Sequence, residues 1–305
     1  MLRRLLVAMV VAAAIAAGLF WLATVPASVS AGALGPHAPD LENGKTLFFA
    51  GGCASCHATP GQEDATRLGG GLALKSPFGT FHVPNISPDR SDGIGGWSEA
   101  DFVTAMRKGT SPDGRHYYPA FPYTAYQRMS VGDLRDLLAY LRTLAPVQGR
   151  VRDHELPFPY NLRRAIGLWK RLYLDGRPFA PDPARDAAWN RGAYLVNGPG
   201  LCAECHSPRD RLSGIVTRQR LAGGPNPDGE GWVPNITQAG LRDWSEDDIA
   251  QFLEFGDKPD GRPILGSMVP VIRTTSRLPA GDRAAMAAYV KSLAPVEGPQ
   301  RPGRR

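Results

Sequence analysis

The longest apolar stretch in the sequence comes first: residues 5–25 form a mostly apolar run directly after Arg3 and Arg4. As a helix this run would reach about 31 Å, at ~1.5 Å per residue, enough to cross a hydrocarbon core of about 30 Å. The pattern predicts a transmembrane anchor or a signal peptide over residues 1–31. Val29-Ser30-Ala31 offers small side chains to a signal peptidase, whereas a secretory apolar core usually spans only about 7–15 residues. In either case the two arginines hold the start of the chain in the cytoplasm and send everything after Pro26 across the membrane.

Beyond the leader, apolar positions recur at helical spacing in three places, and then again in three more. Short amphipathic helices are predicted over residues 40–50 and 186–196, each running into a Gly-rich turn. Middle helices open with capping boxes, Ser98 with Asp101 and Ser245 with Asp248, and stop at Gly109 and Gly256. Last helices are predicted over 131–144, with Leu134, Leu137, Leu138 and Leu141 on one face, and over 280–293. Strand signals are sparse.

The two sets are copies. Cys53-Ala54-Ser55-Cys56-His57 returns as Cys202-Ala203-Glu204-Cys205-His206, 149 positions later. Pro84-Asn85-Ile86 returns as Pro234-Asn235-Ile236, Trp97-Ser98-Glu99 as Trp244-Ser245-Glu246, and Asp113-Gly114-Arg115 as Asp260-Gly261-Arg262. Leu144-Ala145-Pro146-Val147 matches Leu293-Ala294-Pro295-Val296. The repeat divides the chain into domains at 40–149 and 185–298, with a linker at 150–184 and a basic tail at 299–305. Within the linker, residues 161–174 read as a basic helix whose Leu162, Ile166, Trp169 and Tyr173 share a face. That face is expected to pack across the two domains, with a membrane-surface or partner-docking helix as the alternative.

Composition adds little to this division. A length of 305 residues suits two ordinary domains, and 35 glycines with 28 prolines imply many turns around compact helices. The formal charge of +6 owes part of its value to the leader and the tail, so it indicates only a weak preference for acidic partners. Nucleic acid is not expected across a membrane.

The four cysteines are all used in the repeated motif. Two cysteines separated by two residues present both sulfurs to the vinyl groups of one porphyrin, and the adjacent histidine reaches the iron from the same side. The expectation is two covalently attached haem c groups, through Cys53 and Cys56 and through Cys202 and Cys205, with His57 and His206 as axial ligands. A zinc site would need four ligands, and no further cysteine completes either set. A thioredoxin-like pair is disfavoured by the adjacent histidine and by the lack of a nearby βαβ pattern.

A sixth iron ligand must come from downstream, and methionine is the usual donor in cytochromes c. In the second copy, Met268 lies near Pro270 in an expected loop, whereas Met286 falls on the core stripe of the last helix. Met268 is the predicted ligand. In the first copy, Met106 falls within the middle helix, so Met129, just before the last helix, is the predicted ligand, although overlaying the repeats sets Met268 near residues 119–121 instead. His82 or His116 would make a bis-histidine centre. Asn85 and Asn235 could donate to a haem propionate or a methionine sulfur, and Trp97 and Trp244 could pack at a haem edge, or all four could serve turns and core. No catalytic residue is assigned.

The stretches Gly79-Thr80-Phe81-His82-Val83-Pro84-Asn85-Ile86-Ser87-Pro88-Asp89, Gly93-Ile94-Gly95-Gly96-Trp97 and Tyr118-Pro119-Ala120-Phe121-Pro122-Tyr123 resemble the cytochrome c subunits of membrane-bound alcohol, gluconate and sorbitol dehydrogenases. The resemblance covers nearly all of residues 40–298. It implies an all-α fold of two tandem class I cytochrome c-like domains, joined by a partly helical linker and preceded by the anchor or signal peptide. It also implies a non-catalytic electron carrier on the periplasmic side of a bacterial inner membrane. A dehydrogenase catalytic subunit would be the donor, and a cytochrome, an oxidase or quinone the acceptor. Such subunits commonly hold three haem motifs where this sequence holds two, and they often place methionine where Phe121 stands here. The rival expectation is a diheme redox enzyme, such as a peroxidase or a sulfur-compound oxidase, in which one iron leaves a position open to substrate.

Overall fold

In the computed structural model, which describes residues 1–301 apart from 228 and 230, most regular structure is helical. In chain order come α1 (Leu2–Ala23), α2 (Leu41–Ala50), α3 (Cys53–His57), the hairpin of β1 (Ala73–Ser76) and β2 (Gly79–His82), α4 (Glu99–Lys108), α5 (Tyr123–Tyr126) and α6 (Val131–Leu141). Then follow α7 (Ile166–Tyr173), α8 (Ala187–Asn197), α9 (Cys202–His206), the hairpin of β3 (Gly224–Pro225) and β4 (Trp232–Val233), α10 (Glu246–Phe255), α11 (Met268–Thr275) and α12 (Ala280–Lys291). Both hairpins are antiparallel, with Ala73 opposite His82 and Gly224 opposite Val233. These short strands were not legible as alternation, because each is bounded within four residues by Gly or Pro. Of the basic tail expected over 299–305, the part from residue 302 lies outside the described residues.

Local chemistry sets the helix ends where the caps predict them. Asp40 accepts from the Glu42 and Asn43 amides to start α2, and Asp186 accepts from the Trp189 amide to start α8. Both predicted capping boxes are formed, at Ser98/Asp101 and Ser245/Asp248. Gly109 (φ 58°) and Gly256 (φ 81°) terminate α4 and α10 in the left-handed region. The last helices end three and two residues earlier than their apolar stripes suggest, at Leu141 and Lys291.

The first and last helices of each copy cross in close contact, α2 on α6 and α8 on α12. Gly44 and Gly192 make the crossings possible: a Cβ on Gly44 would collide with the Asp136 carbonyl, and one on Gly192 with the Ala285 carbonyl. Around them Leu47, Phe48, Leu134, Leu137 and Leu138 in the first half, and Leu195, Val196, Ala287 and Val290 in the second, form a continuous buried apolar cluster. The middle helices α4 and α10 pack on α6 and α12.

The connector differs from its expected form in one respect. Its helix begins at Ile166, after a 3-10 turn over Arg163–Ala165, because Pro157 and Pro159 carbonyls accept from the Tyr160 and Leu162 amides and close turns there instead. Leu162 is consequently exposed and absent from the packed face. Trp169 and Tyr173 do bridge the halves: Trp169 meets the Tyr123 ring edge-on and donates through Nε1 to the Leu212 carbonyl at 2.8 Å, while the Tyr173 hydroxyl donates to Asp210 at 2.7 Å.

Candidate functional site

Each Cys-x-x-Cys-His motif is a single helical turn, α3 or α9, entered through a residue in the left-handed region: Gly52 (φ 59°) in the first copy and Leu201 (φ 56°) in the second. A β-carbon at φ 56° is strained, so Leu201 holds a conformation that its counterpart adopts without cost. The turn sets both cysteines and the histidine on one short segment beside the first helix of its half.

Both histidines are oriented in the same way. His57 Nδ1 lies 2.8 Å from the Pro84 carbonyl and His206 Nδ1 lies 2.8 Å from the Pro234 carbonyl. A carbonyl only accepts, so Nδ1 carries the proton and Nε2 is left with its lone pair, the tautomer an iron ligand requires. Burial pushes the His57 imidazole down to about 4 and lowers that of His206, so both are neutral near pH 7. Burial also pushes the Cys53 thiol up to about 12, with Cys56 adding to the rise, and the Cys202 thiol up to about 11.

Raised thiols are the reverse of what a thioredoxin-like pair needs, which is a stabilised thiolate. Among the described residues no three His, Cys, Asp or Glu side chains converge as a protein-built metal set would. Half-buried cysteines, with the Cys53 and Cys202 thiols kept protonated, beside a neutral imidazole with a free Nε2, fit a porphyrin that reacts with the first and is ligated by the second.

The repeated Pro-Asn-Ile turns supply the orienting carbonyls, a role that sequence reasoning missed. Their asparagines are occupied in holding the turn: Asn85 Nδ2 donates to the Val147 carbonyl and Asn235 Nδ2 to the Val296 carbonyl, both at 2.7 Å. Their Oδ1 atoms accept from the Ser87 and Thr237 amides. The recurrence of Pro84-Asn85 and Pro234-Asn235 27 and 28 positions after the motif histidines was the available signal. Trp97 packs against the core, and Trp244 meets Phe252 edge-on at 5.4 Å.

Met106 and Met286 are buried within α4 and α12 as core residues. Met129 is fully buried three residues beyond α5, in a segment tied to the first motif by the Tyr126 hydroxyl, which donates to the Gly51 carbonyl at 3.0 Å. Its Cγ lies against the second half, where a methyl added at Gly198 would sit 4.0 Å away. Met268 is half-buried and is the first residue of α11, not part of a loop. The helix tolerates Pro270 because the proline stands in the first turn, where no amide donor is needed.

The remaining histidines are engaged elsewhere. His116 donates through Nε2 to the Thr24 carbonyl at 2.8 Å and accepts at Nδ1 from Lys170 at 3.0 Å. His82 faces Glu155 at 3.3 Å.

The two motif helices are also linked to each other's half. Ser55 of α3 lies 3.5 Å from the Pro270 carbonyl of α11. Reciprocally, Thr124 of α5 donates to Glu204 of α9 at 2.8 Å, and the other Glu204 oxygen accepts from Arg209 at 2.7 Å. Each methionine-bearing segment thus touches the motif helix of the other copy.

A family model described as cytochrome c matches residues 41–145. The chain is 48% identical over 261 residues to a protein of Cereibacter sphaeroides described as diheme cytochrome c-type, an alignment covering 85% of this chain and 87% of that one. It is 37% identical to the fructose dehydrogenase cytochrome subunit of Gluconobacter japonicus, over 84% of this chain and 53% of that one. It is 34% identical to the gluconate 2-dehydrogenase cytochrome c subunit of Pantoea cypripedii, over 85% of this chain and 61% of that one. The chain therefore spans only somewhat more than half the length of these two dehydrogenase subunits.

Proposed function

The chain belongs to the cytochrome c family together with the diheme cytochrome c-type of Cereibacter sphaeroides, and on that premise we propose that it is a periplasmic two-haem electron relay. Residues 40–149 and 185–298 are two tandem cytochrome c-like domains, joined through the connector at 150–184. Cys53 and Cys56 form the thioethers of one haem c, and Cys202 and Cys205 those of the other. His57 and His206 would each ligate a haem iron, and Met129 and Met268 would supply the sixth ligands. The donor is the catalytic subunit of a membrane-associated dehydrogenase that oxidises an alcohol, aldehyde or sugar, in keeping with the names of the dehydrogenase relatives. The acceptor belongs to the respiratory chain.

The observation that carries this reading is the pair of matching histidine settings, each with Nδ1 held by a proline carbonyl at 2.8 Å on the same short helix as two half-buried cysteines. Bound haem supplies the iron whose one-electron cycling carries the charge. The polypeptide does the rest: it holds each imidazole in one tautomer and ties α5 of the first copy to the motif helix α9 of the second through Thr124 and Glu204. A relay needs closely placed centres and no substrate cavity.

The test is to purify the protein from membranes with its co-eluting partners, count haem by pyridine haemochrome, and follow its reduction by candidate alcohols, aldehydes and sugars. Two haems per chain, both low-spin and reduced by one class of substrate, are expected. A stable high-spin centre that binds cyanide or peroxide quickly would overturn the relay in favour of a haem enzyme.

A further inference from the structure

The end of α1 is held by the folded body. The Trp21 carbonyl accepts from Arg164 Nη2 at 2.8 Å, the Ala23 carbonyl from Arg171 Nε at 2.5 Å, and the Thr24 carbonyl from His116 Nε2 at 2.8 Å. Thr24 is fully buried and its hydroxyl accepts from Arg164 Nε at 2.8 Å. Arg164 also lies over the Trp21 ring, 4.0 Å from its centroid. A helix end has unsatisfied carbonyls that need donors, and here α7 and the turn before it supply most of them. These contacts involve residues that signal cleavage after Ala31 would remove.

Leu168 and Arg171 share one face of α7 at a spacing of three, with Leu172 beside them, and Arg164 precedes them in the 3-10 turn. On that face Leu168 is 43% and Leu172 66% exposed, while the opposite face carries Trp169 and Tyr173 into the protein. The chain leading in adds Phe158, Tyr160 and Leu162, exposed by 77%, 45% and 52%. The other exposed large apolar side chains beyond α1 among the described residues are Val25, Leu41, Leu212, Phe255 and Leu265, no two of them adjacent in sequence. A basic, bare apolar face beside the end of an apolar helix has the composition of an interfacial element: leucines for the acyl boundary, arginines for phosphates, and an aromatic ring at headgroup depth.

We propose that this face of α7, with Leu162, Leu168 and Leu172, lies in the surface of the bilayer crossed by α1, with Arg164 and Arg171 at the level of anionic lipid headgroups. The occupant is lipid, because the face is continuous with the span through the Arg164 and Arg171 contacts and carries positive charge. Its effect is to fix the orientation of the haem-bearing body on the membrane. The inference rests on α1 being retained as an anchor.

The test uses the full-length haem protein in nanodiscs of phosphatidylglycerol and phosphatidylethanolamine. Nitroxide labels are placed through Leu168→Cys, Leu172→Cys and, as a water-exposed control, Phe255→Cys, which is 65% exposed in α10. An unchanged haem spectrum certifies folding. The labels at 168 and 172 should collide severalfold less with a nickel chelate than the label at 255, and more with oxygen. Nickel accessibility equal to that at 255 would overturn the proposal, and so would protection from both reagents in the detergent-solubilised complex, which would mean that a protein partner covers the face. Intact mass of the same sample adds a second test: a mature chain starting after Ala31 lacks the span and overturns the proposal whatever the labels read, whereas the relay reading of the haem centres is untouched by that result.

Discussion

Thr124 donates a hydrogen bond to Glu204 at 2.8 Å, joining the segment before Met129 to the residue that stands between the cysteines of the second motif. The contact spans 80 positions of sequence and ties α5 of the first copy to the motif helix α9 of the second. Glu204 also holds Arg209, through both its side chain and its backbone carbonyl.

Replacing Glu204 by Ala leaves Thr124 and Arg209 short of a partner in a half-buried setting, which costs about 1–3 kcal/mol of stability. Urea denaturation of Glu204→Ala, Thr124→Ala and the double variant should return a nonzero coupling energy. Glu204→Gln, which removes a negative charge that favours the oxidised state, should raise the potential of the centre at Cys202 and Cys205. An unchanged redox titration would remove Glu204 from any role in tuning.

The methionine assignments separate by spectroscopy. Met268→Ala and Met129→Ala should each leave both haems attached, lower one potential, and abolish one share of the near-infrared band that reports methionine sulfur on ferric iron. Met286→Ala, a core deletion in α12, should leave that band whole while costing about 2–5 kcal/mol of stability. If Met129→Ala behaves like Met286→Ala, then Met129 is core alone.

Close helix crossing predicts an asymmetry among glycines. Gly192→Ala drives a Cβ into the Ala285 carbonyl and should destabilise the protein by about 1–3 kcal/mol or more. Gly281→Ala, in α12 with open space around it, should be neutral or stabilising by up to about 1 kcal/mol. Thermal unfolding of the two variants checks the contrast.

Lys170 gives stability a pH dependence. Its ammonium donates to the carbonyls of Lys108 and Gly109 at the end of α4 and to His116, yet burial pushes it from 10.5 down to about 7. Between those two values the unfolded chain binds the proton more tightly than the folded one, so this group makes stability rise with pH across that window. The slope is at most about 1.4 kcal/mol per pH unit. Lys170→Met should remove the rise, and a difference between the proteins that stays flat from pH 7 to 10 would refute it.

Much of the molecule was legible before any coordinates. The capping serines, Gly109 and Gly256 act on atoms within one helical turn of themselves, so the α4 and α10 boundaries follow from local chemistry. The late start of α7 was not legible, because proline carbonyls competed for the Tyr160 and Leu162 amides and the apolar stripe alone does not reveal that. The glycines at the helix crossings stand nine and ten residues before their motifs, but their necessity is a property of two backbones meeting.

By itself the sequence determined the doubled motif, the set of donors each motif offers, and the helices that follow it, since these depend on neighbours one to four residues apart. Only the tertiary structure decided which atom orients His57 and His206, that Asn85 and Asn235 hold their own turns, and which residues meet across the halves. It likewise decided that α7 holds the end of α1. The reason is loop closure: a contact between positions 28 or 80 residues apart forms only once packing has brought those segments together, and no local pattern encodes where the chain returns.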